Sequence, residues 1–434
     1  MSSFDIKPFS ISKYPTPPRK SFIKVQPIDA TDFLQMKSVT SQIMDQMLAS
    51  NETTFYLDTS ALAKAALSIF LKRLFTATYK FDKYVTKPAS TKHVYVYDPK
   101  RANIVAAEFQ FKKSYEIALD LANEPANKTT PMEMAKRVQS IFKNTKAKVT
   151  IMDESALKKQ GFGLILAVGQ GASQNRRPVL VTIDILASAA KKQPLCLVGK
   201  GVNIDTGGYE LKPFEYMKGQ HVDKTGASMV TGLMHWLATT KGSLSRRVIA
   251  ILPLVENVIG PESVKPKDIV TAYNKQTVEI VSTDAEGRLI MADCFAYAAQ
   301  KYKPEILFNM ATLTGWANML HCDTSYVFYC ESEALTKLIY RSGNEVGERS
   351  IRMPPWPEYV KYVKSDVADL KNGDHTGCKK SGGFMAAMFL SAFLPTTLRR
   401  KWIHFDVTHT DSTPGIESNC TGFASSVKIL DGLV

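Results

Sequence analysis

Cysteine is sparse and unpatterned in this chain of 434 residues. The six cysteines include no C-x-x-C pair. So few cysteines in a chain of this length exclude a disulfide-rich secreted scaffold, and reduced thiols in the cytoplasm are expected. The seven histidines show no H-x-x-x-H spacing, which excludes the helical two-histidine zinc motif.

Long apolar runs are also missing, because no stretch of eighteen consecutive apolar residues occurs. We therefore expect no membrane span. Residues 1–22 contain four prolines and no apolar core, unlike a secretory signal.

Basic residues outnumber acidic ones, but the two kinds are mixed along the chain. There are 55 basic and 41 acidic residues, giving a net charge of +14. A basic surface can attract nucleic acid or an anionic membrane. No block of five or six like charges appears, so a solvated basic surface is the favoured interpretation. Nucleic-acid binding stays open but is not favoured.

Apolar runs alternate with amphipathic stretches along most of the chain, which predicts an α/β fold. The length exceeds one ordinary core, so two domains are expected. We predict a small N-terminal α/β domain over residues 1–105. Residues 106–434 are predicted to form a larger domain, in which helices flank a mostly parallel central sheet. Its strands are predicted at 148–152, 179–183, 195–198, 248–254, 277–281, 305–310 and 402–407.

Two carboxylates, Asp284 and Glu286, lie between a β-branched run and a helical pattern. Residues 277–281 predict a strand, and residues 289–302 predict a helix. Open α/β sheets bind ligands at such turns, outside the carboxyl ends of strands. Acidic residues are also ordinary caps of helices, so this motif alone leaves both interpretations open.

A second cluster begins with the stretch 199–208, which contains four glycines. So many glycines predict a loop that bends sharply or approaches a ligand. The stretch contains Lys200 and Asp205, and Lys212 and Asp223 follow it. Together with the first cluster this makes four carboxylates, which would repel one another unless cations neutralised them. Oxygen-rich sites of this kind suit divalent metal ions.

The two clusters together resemble the signatures of the cytosol aminopeptidases, also called leucyl aminopeptidases. The family signature N-T-D-A-E-G-R-L is matched by residues 282–289, with Ser282 in place of the usual Asn. The upstream motif G-K-G-x-x-x-D-x-G-G is matched by residues 199–208. The resemblance runs from about residue 117 to the C-terminus, and two long motifs with matching internal spacing are highly specific.

The resemblance implies a metallo-aminopeptidase with two divalent ions per subunit, zinc or manganese. Lys200, Asp205, Asp223 and Glu286 would hold one ion. Asp205, Asp284 and Glu286 would hold the other. The family hydrolyses the N-terminal peptide bond, with a water that bridges the metals as the nucleophile.

Further roles follow from the same resemblance. Lys212 would polarise the scissile carbonyl, and Arg288 would hold a bicarbonate ion that serves as general base. The residues that would contact the substrate are Gln220, Thr312, Leu313 and Gly315. The family also implies peptide substrates with a free N-terminus, a homohexamer and a cytoplasmic location.

This sequence departs from the family pattern at a few positions near the motifs. Ser282 is one, Gln220 stands where many members have an apolar residue, and Lys224-Thr225 replaces Met-Gly. No departure removes a metal ligand. They keep a second function open, in which a catalytically altered relative acts as an assembly or nucleic-acid-binding protein.

Overall fold

Three sheets organise the computed structural model, which describes residues 3–9, 22–87, 90–187, 192–240, 242–321, 324–373, 382–408 and 416–434. Four parallel strands form the first sheet, in the order β1-β4-β3-β2. They are β1 (Ser3–Pro8), β2 (Phe22–Lys24), β3 (Thr54–Asp58) and β4 (Thr91–Tyr97). Alternate residues such as Phe55, Leu57, Val94 and Val96 are buried, as the period of two along a strand requires.

Three helices accompany this sheet: α1 (Phe33–Ala49), α2 (Lys64–Thr78) and α3 (Ala102–Asn123). Neither β1 nor α1 was predicted from the sequence. The Asp32 side chain caps α1 by accepting a hydrogen bond of 2.8 Å from the Gln35 backbone N–H. A buried ion pair between Lys72 and Glu108 joins α2 to α3. The boundary predicted after residue 105 falls inside α3, and it stays a prediction.

The largest sheet has the order β14-β13-β16-β12-β7-β9-β6-β5, with β8 beside β9. Its middle strands β16, β12, β7, β9 and β8 are mutually parallel, whereas β13 with β16, and β6 with both β9 and β5, pair antiparallel. The strands are β5 (Lys148–Met152), β6 (Val179–Ile185), β7 (Leu195–Gly199), β8 (Gly201–Asp205), β9 (Val248–Asn257), β12 (Ile306–Ala311), β13 (Ser325–Tyr329), β14 (Arg349–Met353) and β16 (Trp402–Asp406). The predicted α/β class with a mostly parallel central sheet is confirmed.

Two predictions about strands were wrong in part. The glycine-rich stretch 199–208 is not a loop throughout, since β8 runs through its middle. The strand predicted at 277–281 ends at Glu279 and does not join the central sheet. It is β11 (Thr277–Glu279) of a three-stranded side sheet, between β10 (Ile269–Thr271) and β15 (Leu370–Lys371).

Helices cover both faces of the central sheet. Along β7, Leu195 and Leu197 point into one apolar core and Cys196 and Val198 into another, because successive side chains of a strand point to opposite faces. The first core includes one face of α8 (Thr225–Thr240), and the second includes most of α9 (Glu286–Tyr297). The remaining helices are α4 (Pro131–Ile141), α5 (Glu154–Gln160), α6 (Gly163–Gly169), α7 (Phe214–Met217), α8 (Thr225–Thr240), α9 (Glu286–Tyr297), α10 (Gly315–His321), α11 (Glu333–Val346), α12 (Gly382–Ser391), α13 (Thr396–Arg399) and α14 (Phe423–Leu433).

Polar residues follow the parallel strands at one edge of the central sheet. Lys200 follows β7, and Thr312 follows β12. Asp205, Asn257 and Asp406 end β8, β9 and β16. Parallel strands bring their carboxyl ends together, so five strand ends deliver these side chains to one place. Among the helices of the described residues, none has both the length and the apolar character needed to cross a membrane.

Candidate metal and active site

Lys200 is fixed by its backbone before its side chain makes any contact. Its N–H donates to the Met310 carbonyl at 3.0 Å, and its carbonyl accepts from the Ala227 N–H at 2.7 Å. The residue is therefore clamped between the end of β12 and the first turn of α8. Because both contacts use the main chain, the direction of the side chain is set by the fold.

The Lys200 amine lies among three oxygens. Its Nζ is 2.7 Å from Asp223 Oδ1, 2.9 Å from Glu286 Oε1 and 2.7 Å from the Thr312 carbonyl oxygen. Only 3% of its side chain is exposed. A Cβ at Gly287 would lie 2.5 Å from Lys200 Cε, so the amine can occupy this position only because residue 287 has no side chain.

Lys212 forms the second pairing, with the two remaining carboxylates. Its Nζ is 2.8 Å from Asp205 Oδ2 and is hydrogen-bonded to Asp284 Oδ1. About 14% of its side chain is exposed, so this amine faces the opening of the site more than Lys200 does. The structure thus brings together all five predicted metal ligands and the predicted catalytic lysine.

The crowded charges shift one another's pKa. Burial lowers the pKa of both amines, but the surrounding carboxylates outweigh it, and the pKa of Lys200 and of Lys212 is raised above the usual value. Burial, with repulsion from neighbouring carboxylates, raises the pKa of Asp223 well above its usual range. The same causes raise the pKa of Asp284 to about 7. Two amines face four carboxylates here, so the cluster holds more acidic than basic groups.

These residues fit a divalent metal ion. Oxygen atoms of Asp205, Asp223 and Glu286 lie within 4.8 Å of one another, and all three residues are buried. Asp223 Oδ2 and Glu286 Oε2 are buried without a hydrogen-bond partner among the described residues. A buried carboxylate oxygen without a partner is costly, and a hard cation supplies the missing interaction.

Two asparagines that the sequence analysis missed hold the acidic loops in place. Asn257 Nδ2 donates to Asp205 Oδ1 at 2.8 Å and to the Thr283 carbonyl at 3.0 Å, which ties the two motifs together. Asn372 Oδ1 accepts from the N–H groups of Val281 and Ser282, at 2.8 and 3.2 Å. Asn257 ends the long apolar strand β9, and that polar ending was a usable signal. Nothing local to Asn372 marks it.

Arg288 is buried behind the second acidic loop. Its Nη1 donates to the Asn372 carbonyl at 2.9 Å, whereas its Nε has no hydrogen-bond partner among the described residues. Burial lowers the pKa of the guanidinium to about 10, so it remains a cation at neutral pH. The Nη1 group is therefore anchored by Asn372, whereas the Nε–H of the same guanidinium remains as a donor without an acceptor among the described residues.

The predicted substrate residues have different surroundings. Thr312 is tied to the cluster, because its Oγ1 donates to Asp223 Oδ1 at 2.7 Å and its carbonyl accepts from Lys200. The Leu313 N–H donates to Asp406 Oδ1 at 3.1 Å, and Gly315 is exposed. Gln220 is half-buried, and its Nε2 donates to the Tyr216 carbonyl at 2.7 Å.

Lys224, which departs from the family pattern, points away from the acids. Its amine donates to the Glu124 carbonyl at 2.7 Å and to the His221 carbonyl. The side chain is fully buried, and burial lowers its pKa to about 7. Lys224 therefore fastens the turn before Asp223 and adds no direct contact to the four carboxylates.

Comparison with known proteins places this geometry in a family. Residues 116–429 match the model of the cytosol aminopeptidase family, catalytic domain. A probable cytosol aminopeptidase of Bradyrhizobium sp. is 38% identical over 369 residues, covering 82% of this chain and 71% of that protein. A probable cytosol aminopeptidase of Xanthobacter autotrophicus is 34% identical, covering 95% and 82%.

Solved structures share the fold at lower identity. The cytosol aminopeptidase of Coxiella burnetii superposes with a TM-score of 0.83 at 23% identity, covering 99% of both chains. The bottromycin maturation enzyme BotP, solved in complex with Mn, gives 0.81 at 23% identity, covering 94% of this chain and 89% of that one. These structures show the fold, and the family model and the sequence relatives show that the chain belongs to the cytosol aminopeptidase family and is a metallo-aminopeptidase, a hydrolase of N-terminal peptide bonds.

Proposed function

We propose that the lysine–carboxylate cluster holds two divalent metal ions, zinc or manganese, and cleaves the N-terminal peptide bond of peptides with a free α-amine. The observation that carries the proposal is a set of three buried carboxylates whose oxygens lie within 4.8 Å of one another. Two of these carboxylates have an oxygen without a hydrogen-bond partner among the described residues. Lys200, Asp205, Asp223 and Glu286 would hold one ion. Asp205, Asp284 and Glu286 would hold the other.

The bound ions would supply a water of lowered pKa for attack on the scissile carbonyl. The chain's own residues do the rest. Lys212 keeps its proton on Nζ, since Asp205 and Asp284 favour the charged amine. A fixed cation at the opening of the site stabilises the negative charge that develops on the carbonyl oxygen. Its greater exposure relative to Lys200 supports this division of roles.

Arg288 is proposed to bind bicarbonate, which would serve as the general base. A guanidinium matches a planar anion through parallel N–H donors, and Asn372 already fixes the orientation of the Arg288 fork. Burial strengthens such a contact, because few water molecules compete for the donors. Arg288 would then contribute by holding the bicarbonate, as the proton acceptor, in one fixed orientation.

The family membership and the intact carboxylates favour the enzyme over the assembly or nucleic-acid-binding alternative. Keeping four carboxylates together without a metal is costly. A homohexamer and a cytoplasmic location, which the resemblance implies, stay predictions.

Glu286→Gln tests the metal centre directly. The substitution keeps the shape of Glu286 but removes its charge, and Glu286 is one of the two carboxylates that both ions would share. We expect the wild type to bind two Mn²⁺ per subunit, measured by titration calorimetry and elemental analysis. In the variant we expect metal affinity and hydrolysis of aminoacyl p-nitroanilides to fall by more than the roughly 10–100-fold typical of losing an outer-shell partner.

Glu262→Gln is the matched control, because Glu262 is an exposed carboxylate that pairs with Arg177. Glu262→Gln should keep the wild-type metal affinity and the wild-type rate of hydrolysis. Full activity in Glu286→Gln, or in wild type freed of metal by a chelator, would end the two-metal proposal.

Arg288→Ala tests the proposed site for the general base. We expect turnover to drop by about 10²–10³-fold while the number of bound metal ions stays the same. Arg288→Lys should recover little, since an ammonium keeps the charge but loses the planar fork. Both variants should be measured across a bicarbonate titration. Turnover equal to wild type with and without bicarbonate would refute the assignment.

Gln220 lies three residues before Asp223, and we propose that it contributes to the pocket for the first side chain. An amide in such a pocket is costly against an apolar side chain, so preference should shift from Leu toward polar or acidic N-terminal residues. Gln220→Met should restore a preference for Leu in kcat/KM on a panel of N-terminal residues. The exposed Gln174→Met serves as control.

The alternative is that Gln220 stays turned toward the Tyr216 carbonyl and leaves the pocket apolar. A strong preference for Leu in the wild type, unchanged in Gln220→Met, would establish that alternative.

A further inference from the structure

An exposed carboxylate that has no role in the proposed catalytic set lies on the segment between Asp205 and Lys212. It belongs to Glu210, two residues before the catalytic lysine. Glu210 is fixed by two contacts to the loop that precedes Asp284. Its backbone N–H donates to Thr283 Oγ1 at 2.8 Å, and its Oε2 accepts a hydrogen bond from Ser282 Oγ.

The contacts of Glu210 with the described residues leave its charge unpaired. The nearby Lys212 amine is engaged by Asp205 and Asp284. Across the described residues, no lysine, arginine or histidine forms an ion pair with Glu210. With respect to the described residues, the Glu210 carboxylate can therefore pair with a cation on a bound peptide, and the hydrogen bond from Ser282 fixes where that pair would form.

The position of Glu210 beside the acidic cluster indicates which residue of a bound peptide its carboxylate would contact. The residues proposed for the first side chain, Gln220 and Leu313, lie beside Asp223 and Thr312 in the chain. Glu210 instead belongs to the side of the cluster formed by Asp284. If the first residue of a peptide occupies the Asp223 side, as the proposed function implies, the part beyond the scissile bond would extend toward the Asp284 side.

We propose that Glu210, held by Ser282, selects peptides with Lys or Arg immediately after the scissile bond and disfavours Asp or Glu there. The inference rests on the proposed aminopeptidase function and adds a substrate class to it. Ser282 stands where the family signature has Asn, and its hydroxyl is the group that reaches the Glu210 carboxylate. The selection is thus a property of this chain's own pair of residues.

The test compares peptide amides that share their first residue and carry Lys, Gln or Glu in second place. For the metal-loaded wild type, kcat/KM should decrease in the order Lys, Gln, Glu. Glu210→Gln should lower the Lys-to-Glu ratio by about fivefold, the upper range for an exposed ion pair. Glu210→Lys should reverse the order. Ser282→Ala keeps the charge of Glu210 but removes the hydrogen bond that holds its side chain. Its Lys-to-Glu ratio of kcat/KM should lie between the ratios of the wild type and Glu210→Gln.

Ionic strength separates a charge contact from a structural effect. Salt screens exposed charges, so the wild-type ratio should fall as salt increases, whereas the ratio of Glu210→Gln should hardly change. Glu262→Gln removes an exposed carboxylate elsewhere and should keep the wild-type ratio and salt dependence.

Two negative results have different meanings. If the metal-loaded wild type cleaves none of the peptides, the proposed function and this inference fail together. If it cleaves them but Glu210→Gln keeps the wild-type ratio and salt dependence, this inference alone is overturned.

Discussion

The reciprocal pairing of two lysines with four carboxylates is the interaction on which the rest of this site depends. Lys200 joins Asp223 to Glu286, and Lys212 joins Asp205 to Asp284. Buried carboxylates without partners would repel one another and destabilise the edge of the sheet. The two amines offset part of that repulsion, and the site keeps an excess of negative charge that a divalent cation would balance.

Main-chain hydrogen bonds and asparagine side chains hold the paired lysines and carboxylates in position. Lys200 is clamped between β12 and α8, and Gly287 leaves the space that its amine occupies. Asn257 and Asn372 hold the two acidic loops without adding charge, which would disturb the balance of amines and acids. The same arrangement leaves Glu210 outside the cluster but fixed beside it. One edge of the sheet can thus provide both the proposed metal centre and the proposed choice of substrate.

Much of the site could be predicted because its residues fall in two short stretches of sequence. The spacing from Lys200 to Asp223 and from Asp284 to Arg288 identified the family, and the structure brings those side chains together. The strand β8 was missed because four glycines outweighed its short apolar pattern. Asn372 and the contact between Glu210 and Ser282 could not be found, since each joins residues more than seventy positions apart. Such contacts between distant residues determine whether a polar side chain is hydrogen-bonded within the protein, and a local sequence pattern does not show them.

The most direct measurement of the central claim is anomalous X-ray scattering from crystals of the manganese-loaded protein, recorded near the manganese absorption edge. The account predicts two peaks within the cluster. One should contact Lys200, Asp205, Asp223 and Glu286, and the other should contact Asp205, Asp284 and Glu286. A fully active, manganese-loaded enzyme whose anomalous peaks all lie away from these side chains would contradict it.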